Sequence, residues 1–278
     1  MKKTFIIIFA IILIILGGCL SSSTSSSPAT KETSAPETKD DSKVLTKEEF
    51  EKMYTNPNDY KGAKVDFYAK IFTVPEKDNQ GTYLQAFADP KNSEKNTVIA
   101  IKDPNLDVKV GDIIHVIGKV EKVFEGENAL GGTIKAPVII ADKIEKSDYA
   151  TAFAPAIKTI DVNKEINQHG YIIKLTKLEL AKAETRIYVT VTNQSKNKIN
   201  FFDFNTKLVM NNKQYELEDN FEANYPKVQS ELLPGVRSEG ILTFSALETQ
   251  SGTLKVIFEG SSDNYELNFK PFEFEIKF

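Results

Sequence analysis

The sequence predicts an all-β protein: a small five-stranded barrel behind a short N-terminal helix, followed by a β-sandwich. Three observations carry this expectation. After Asn56-Pro57 the apolar residues recur with a period of two, as pleated strands require. The short apolar runs are punctuated by Gly, Pro, Asn and Asp, the residues that turn a chain between strands. Beyond the N-terminal region about 235 residues remain, which suits two ordinary domains better than one.

The chain starts with Met1-Lys2-Lys3, runs through 12 uninterrupted apolar residues from Phe5 to Leu16, and then reads Leu16-Gly17-Gly18-Cys19. A positive start, a short apolar core and small residues at a cut site describe a secretion signal over residues 1–18. A spanning helix is disfavoured, because crossing the hydrocarbon takes about 20 apolar residues. Leu16-Gly17-Gly18-Cys19 resembles the lipobox of prokaryotic lipoproteins. That resemblance implies a diacylglyceryl group on the Cys19 sulfur, cleavage between Gly18 and Cys19, and display on the outer face of the cell membrane. Each buried methylene contributes about 0.8 kcal/mol, so two acyl chains anchor stably where one would not.

Cys19 is the only cysteine, so the exported part has no disulfide to form and no thiolate for catalysis or metal binding. Loss of Lys2 and Lys3 leaves 33 basic against 39 acidic side chains, a net charge of −6. That sign is opposite to the one phosphate-binding surfaces usually carry. Residues 19–44 read as the lipidated cysteine and a tether. Between Ser21 and Lys43, Ser, Thr and Pro supply 14 of 23 residues and no large apolar side chain occurs. Such a segment cannot bury enough surface to offset its ordering entropy. As a flexible coil it would span roughly 25 Å.

The first domain is expected over 45–148. Thr46 followed by Glu49 is a capping box, with Phe50, Met53 and Tyr54 on one face of the helix it starts. Strands follow at Val65–Phe72, Tyr83–Ala88, Thr97–Ile101, Ile113–Phe124 and Thr133–Ile144. The run from Val110-Gly111-Asp112 to Gly118-Lys119-Val120 resembles the start of the fourth strand in OB-fold barrels of the anticodon-binding-like type. A glycine before the aspartate permits a tight turn, and Gly118 lets a coiled strand bend. Strand number and spacing also suit a five-stranded barrel.

A small-residue stretch, 149–156, is read as a linker, and 157–278 as the sandwich. Its expected strands are Tyr171–Leu180, Arg186–Thr192, Asn200–Met210, Lys213–Glu218, Glu239–Ala246, Thr253–Glu259, Tyr265–Lys270 and Phe272–Lys277, with Asn211-Asn212 as a hairpin turn. The segments Tyr188–Ser195, Leu232-Leu233-Pro234-Gly235 and Gly240–Phe244 resemble an exported immunoglobulin-like family, the domain of unknown function 4352, similar to a mycobacterial immunoprotective antigen. The resemblance implies an immunoglobulin-like sandwich after a lipobox and tether, with no established active site to carry over. The family's pair of cysteines is missing here.

No catalytic constellation is found. The chain offers only two histidines, His115 and His169; the first sits mid-strand, the second in a turn, and no Gly-x-Ser-x-Gly elbow accompanies them. Asp103, Asn105 and Asp107 have the spacing that opens a calcium loop, but Val108 replaces its glycine and the twelfth-position glutamate is lacking. Glu216, Glu218, Asp219 and Glu222 read as a solvated acidic face rather than a cation site. Gly126 and Gly131-Gly132 lack the lysine of a phosphate loop. No cofactor, metal or enzymatic activity is therefore expected. Asn193-Gln194-Ser195 matches a glycosylation acceptor.

The expected function is binding. With Val65, Phe67, Ala69 and Ile71 facing a core, Tyr68, Lys70 and Phe72 project outward, joined by Tyr83, Gln85 and Phe87. OB-folds bind oligonucleotides or oligosaccharides on that face, and aromatic rings stack on bases or sugars. The polar loop between Phe124 and Thr133, with Asn128 and Leu130, is a second candidate for recognition. Besides membrane lipid through Cys19, the expected partner is a protein, a glycan or another envelope component. Nucleic acid is disfavoured by the charge but is the alternative, with hydrolysis of an envelope polymer by paired carboxylates ranking behind it.

Overall fold

The computed structural model describes residues 43–127, 131–248 and 251–278. Helix α1 (Lys47–Met53) begins where the capping box predicts: the Glu49 amide donates to the Thr46 hydroxyl at 3.3 Å, and the Thr46 amide to the Glu49 carboxylate at 2.8 Å. Two orphan donors of the first turn are thereby satisfied. Met53 is fully buried, and the Phe50 ring lies 5.1 Å from that of Phe67, so the helix closes the adjoining core.

Six strands follow: β1 (Lys64–Ile71), β2 (Glu76–Lys77), β3 (Thr82–Asp89), β4 (Glu94–Ile101), β5 (Ile113–Glu127) and β6 (Thr133–Ser147). Strand β1 pairs antiparallel with β5, β5 with β6, and β4 with β3, whereas β6 and β4 run parallel. Strand β3 then returns to β1 through Lys70 opposite Phe87 and Ile71 opposite Ala86. Five strands thus close on themselves in Greek-key order, with β2 an appendage of β3, and closure removes the free edges of an open sheet. Val65, Phe67, Ala69, Ile71, Leu84, Ala86, Ile99, Ile114, Val116 and Ile139 fill the interior.

Both glycines singled out in the sequence have a geometric reason. Gly111 has φ +88° in the turn before β5, a conformation that costs any other residue strain. Gly118 sits at a register shift where β6 crosses so closely that a Cβ would lie 2.8 Å from the Ala141 Cα.

The second half is a sandwich. Its strands are β7 (Ala156–Gln168), β8 (Tyr171–Ala181), β9 (Glu184–Asn193), β10 (Ile199–Phe201), β11 (Lys207–Met210), β12 (Lys213–Glu216), β13 (Glu231–Leu232), β14 (Arg237–Ser245), β15 (Thr253–Phe258), β16 (Gly260–Ser262) and β17 (Phe272–Lys277). One sheet has the order β14-β9-β8-β7, the facing one β12-β11-β15-β17, and β13-β10-β16 forms a small third sheet. Ile173, Leu175, Ile187 and Val189 of the first sheet share a core with Leu208, Val256, Phe258 and Phe274 of the second. Large side chains of this kind contribute roughly 1.5–3 kcal/mol each when fully buried.

Three expectations are corrected. The strand expected over Asn200–Met210 is broken by a 3₁₀ turn at Asp203–Asn205, where the chain leaves the small sheet for the large one. Its apolar run hides this break, because Phe204 is exposed while Phe201 is buried. No strand forms over Tyr265–Lys270: Asn264 accepts from the Glu266 amide at 3.1 Å, a turn bond. Conversely, β7 went unrecognised. It is an edge strand with mostly exposed polar residues, and its bulge at Asp161–Lys164 interrupts the period of two.

Residues 149–156 are not a plain spacer. They hold a helical turn, α2 (Tyr149–Ala152), capped by the Asp148 carboxylate on the Thr151 amide at 2.9 Å, and β7 starts at Ala156. Tyr149 and Ala154 pack with Ile113 of the barrel and Ala181 of the sandwich, flanked by Phe153, Ala223 and Tyr225. This joint unites the two cores within one compact unit of the described residues.

Candidate binding face and the joint beside it

On β1 and β3 the inward residues are buried and Tyr68, Lys70, Phe72, Tyr83, Gln85 and Phe87 alternate with them, all six partly exposed. They occupy one outer wall of the barrel because the β1–β3 closure places Lys70 opposite Phe87 and lets the Phe72 amide donate to the Gln85 carbonyl at 3.1 Å. The rings are already organised. Phe72 and Phe87 stack with centroids 4.0 Å apart and planes at 14°, and Tyr68 stacks on His115 at 4.6 Å. Offset stacking of this kind adds about 0.5–1.5 kcal/mol beyond area burial.

Three polar contacts edge the face. His115 Nε2 lies 2.5 Å from Asp66 Oδ1, its neighbour on β1. Burial and the nearby Asp78 carboxylate, 3.3 Å from its hydroxyl, push the Tyr83 phenol above its ordinary value. The Lys70 ammonium donates to both the carboxylate and the carbonyl of Glu222, at 2.7 and 2.9 Å. Its charge is thus engaged by a loop of the sandwich.

The other candidate residues lie elsewhere. Asn128 and Leu130 fall outside the described residues, as do Gly18 and Cys19. His169 has φ +56° in the two-residue turn joining β7 and β8, where its ring meets Phe269 edge-on at 5.7 Å. Asn193 is wholly buried, and its amide donates to the Asn197 and Leu232 carbonyls at 2.8 and 2.9 Å. Both N–H bonds are used, so the sequon is closed to modification in the folded chain.

At the joint lies a charge network the sequence reading missed. Arg186 is 1% exposed. Its guanidinium bonds Glu179 at 2.9 Å, Glu184 at 2.7 Å and the Ala154 carbonyl at 2.7 Å. Tyr188 and Lys177 complete the coordination of Glu179, at 2.8 and 2.6 Å, while Tyr225 and Asn220 complete that of Glu184, both at 2.7 Å. Burial opposes the charge on Arg186, yet Glu184 and Glu179 hold its pKa above the ordinary value. Burial likewise opposes the charge on Glu179, but the bonds from Lys177, Tyr188 and Arg186 outweigh it and depress its pKa. For Tyr225, burial and then Glu184 raise the phenol. A signal was available: Arg186 is one of only two arginines in the chain, and arginine is the preferred partner for buried carboxylates.

Beside this network, clefts of about 600 and 390 Å³ open between barrel and sandwich. The larger is lined by Asp89, Glu184, Glu218, Asp219 and Glu222. Arg186, Lys227 and Lys70 engage Glu184, Asp219 and Glu222 respectively. No group of three or more His, Cys, Asp or Glu side chains suited to a metal ion occurs among the described residues.

No family model matches the chain, and no curated protein is detectably similar in sequence. Among solved structures, a protein of unknown function from Listeria monocytogenes EGD-e is similar over 45% of this chain and 86% of its own, with 10% identity and a TM-score of 0.32.

Proposed function

We propose that this chain is a membrane-anchored, extracytoplasmic lipoprotein that binds a protein, a glycan or another envelope component without catalysing a reaction. The observation that carries the binding role is the outer wall of the barrel, where the six candidate residues are partly exposed together and two ring pairs are pre-stacked. A flat, rigid aromatic surface loses little conformational entropy on contact, which favours recognition over packing. Anchoring rests on the Leu16–Cys19 motif after its apolar run. The resemblance of the sandwich to the exported immunoglobulin-like family supports the same location.

Two rival readings are supported less. A nucleic-acid surface needs uncompensated cations, whereas the one lysine among the six is bonded to Glu222. Hydrolysis by paired carboxylates needs two of them disposed about a scissile bond, whereas three of the five lining the larger cleft are engaged by cations.

Two measurements test the proposal. Cells fed a labelled lipid precursor should label the protein, and Cys19→Ala should abolish the label and release the chain from the membrane; retention of label would overturn the anchor. The full chain should co-sediment with purified cell-wall polysaccharide or bind isolated envelope protein, and Phe72→Ser with Phe87→Ser should remove that binding. Undiminished binding by the double variant, or salt-sensitive binding of oligothymidylate instead, would overturn the assignment.

A further inference from the structure

In the register of the barrel strands, Lys70 lies between Phe87 on β3 and Ile113 on β5, with Tyr68 and Phe72 two residues to either side. A loop of the sandwich crosses this row. Its ends are stitched to β14, where the Glu218 amide donates to the Thr243 carbonyl at 2.8 Å and the Ile241 amide to the Pro226 carbonyl at 2.9 Å. Between these ends, residues 219–225 reach the barrel. Ala223 and Tyr225 pack into the cluster that leaves Ile113 only 6% exposed, and Glu222 accepts from the Lys70 ammonium through both its carboxylate and its carbonyl. Tyr68 and Phe72 thus stand on opposite sides of one strap.

The strap is held firmly at its feet and weakly at its tip. Asn220 and Tyr225 both bond Glu184, which is 7% exposed, at 2.7 Å, and bonds to a buried carboxylate are costly to lose. The tip meets the wall through the Lys70–Glu222 pair, whose side chains remain 20% and 43% exposed, and an ion pair that wet is weak. Phe221, beside Glu222, is 80% exposed and adds no buried apolar anchor. Space surrounds the strap as well. The clefts of about 600 and 390 Å³ open on its two flanks, and a third of about 170 Å³ lies between it and Ile241, Leu242 and Thr243 of β14.

We propose, resting on the binding role given to the wall above, that this strap is an autoinhibitory cover. With the Lys70–Glu222 latch closed it divides the wall; with the latch released its tip lifts, and the rings on both sides form one continuous face. A covered site binds with an affinity reduced by the fraction of chains that are open. Weakening the latch therefore tightens binding without adding a contact.

Two readouts on the full chain test this. Chymotrypsin cuts after phenylalanine but needs a locally opened segment, so its rate after Phe221 follows the open population of the strap. Lys70→Gln, which leaves the sequence of the strap intact, should raise that rate about three- to fivefold. Lys255→Gln, which breaks a similarly wet pair with Glu273 between β15 and β17, should leave it unchanged. Glu222→Gln should bind purified cell-wall polysaccharide or isolated envelope protein about threefold more tightly than the parent chain. An unchanged cleavage rate in Lys70→Gln, an equal rise in Lys255→Gln, or no tighter binding by Glu222→Gln would each overturn the cover. If neither parent nor variant binds while cleavage still rises in Lys70→Gln, the binding role of the wall has failed and the cover falls with it, an outcome distinct from a strap that does not move.

Discussion

At the joint, Arg186 is almost wholly buried and the two carboxylates beside it have their donors supplied by five side chains. On the barrel wall, Tyr68, Phe72 and Phe87 are partly exposed and mainly touch other rings. The two regions lie close, since Glu222 reaches Lys70 on the wall and Tyr225, three residues on, bonds Glu184 at the joint. What separates them is desolvation. A buried ion pair is strongly coupled to its geometry, because losing one partner strands the other without water. A ring pair at the surface can lose a member and rehydrate. The joint therefore fixes how barrel and sandwich are held together, and the wall is free to serve a ligand.

The sharpest way to break this contrast is Arg186→Ala, which leaves the buried Glu184 without a cation and Glu179 with Lys177 alone, and should cost about 3–5 kcal/mol in urea unfolding. A loss below about 1 kcal/mol would place the joint with ordinary surface pairs. Gly118→Ala forces a side chain against β6 and should cost about 1–3 kcal/mol, showing that the barrel wall, permissive in its side chains, is not so in its backbone. Acid should weaken the joint. Glu179 holds its charge more tightly folded than unfolded, so its contribution is complete above the ordinary value of 4.5 and disappears as pH falls through its lower folded value. Melting temperature against pH should drop in that window, and Glu179→Gln should flatten the drop. Lys70→Ala removes a partly exposed pair, of side-chain exposure 20% and 43%, and should change stability by at most about 1 kcal/mol.

The sequence made the barrel legible because its strands alternate cleanly: Val65, Phe67, Ala69 and Ile71 point inward as their period requires. Its helix start was equally plain, since Thr46 and Glu49 make a purely local motif. The six wall residues could be assigned to an outer face for the same reason. Their pairing could not, because the stacking of Tyr68 on His115 depends on the register of β1 with β5. The joint was illegible on similar grounds. Glu179 and Arg186 come together across β8 and β9, and Ala154 and Tyr225 join them from segments whose composition marks them only as loop. Strand β7 was lost to its own bulge, where Asn163 has φ +49° and shifts the alternation by one residue.

Asn193 has a consequence in time rather than in space. The sequon is chemically intact in the extended chain and sealed once Leu232 arrives from 39 residues downstream to take its amide proton. Any glycan on Asn193 would thus date from before the sandwich closed, and would hold it open. Intact-mass measurement of the folded protein should find this asparagine bare, whatever machinery the cell possesses.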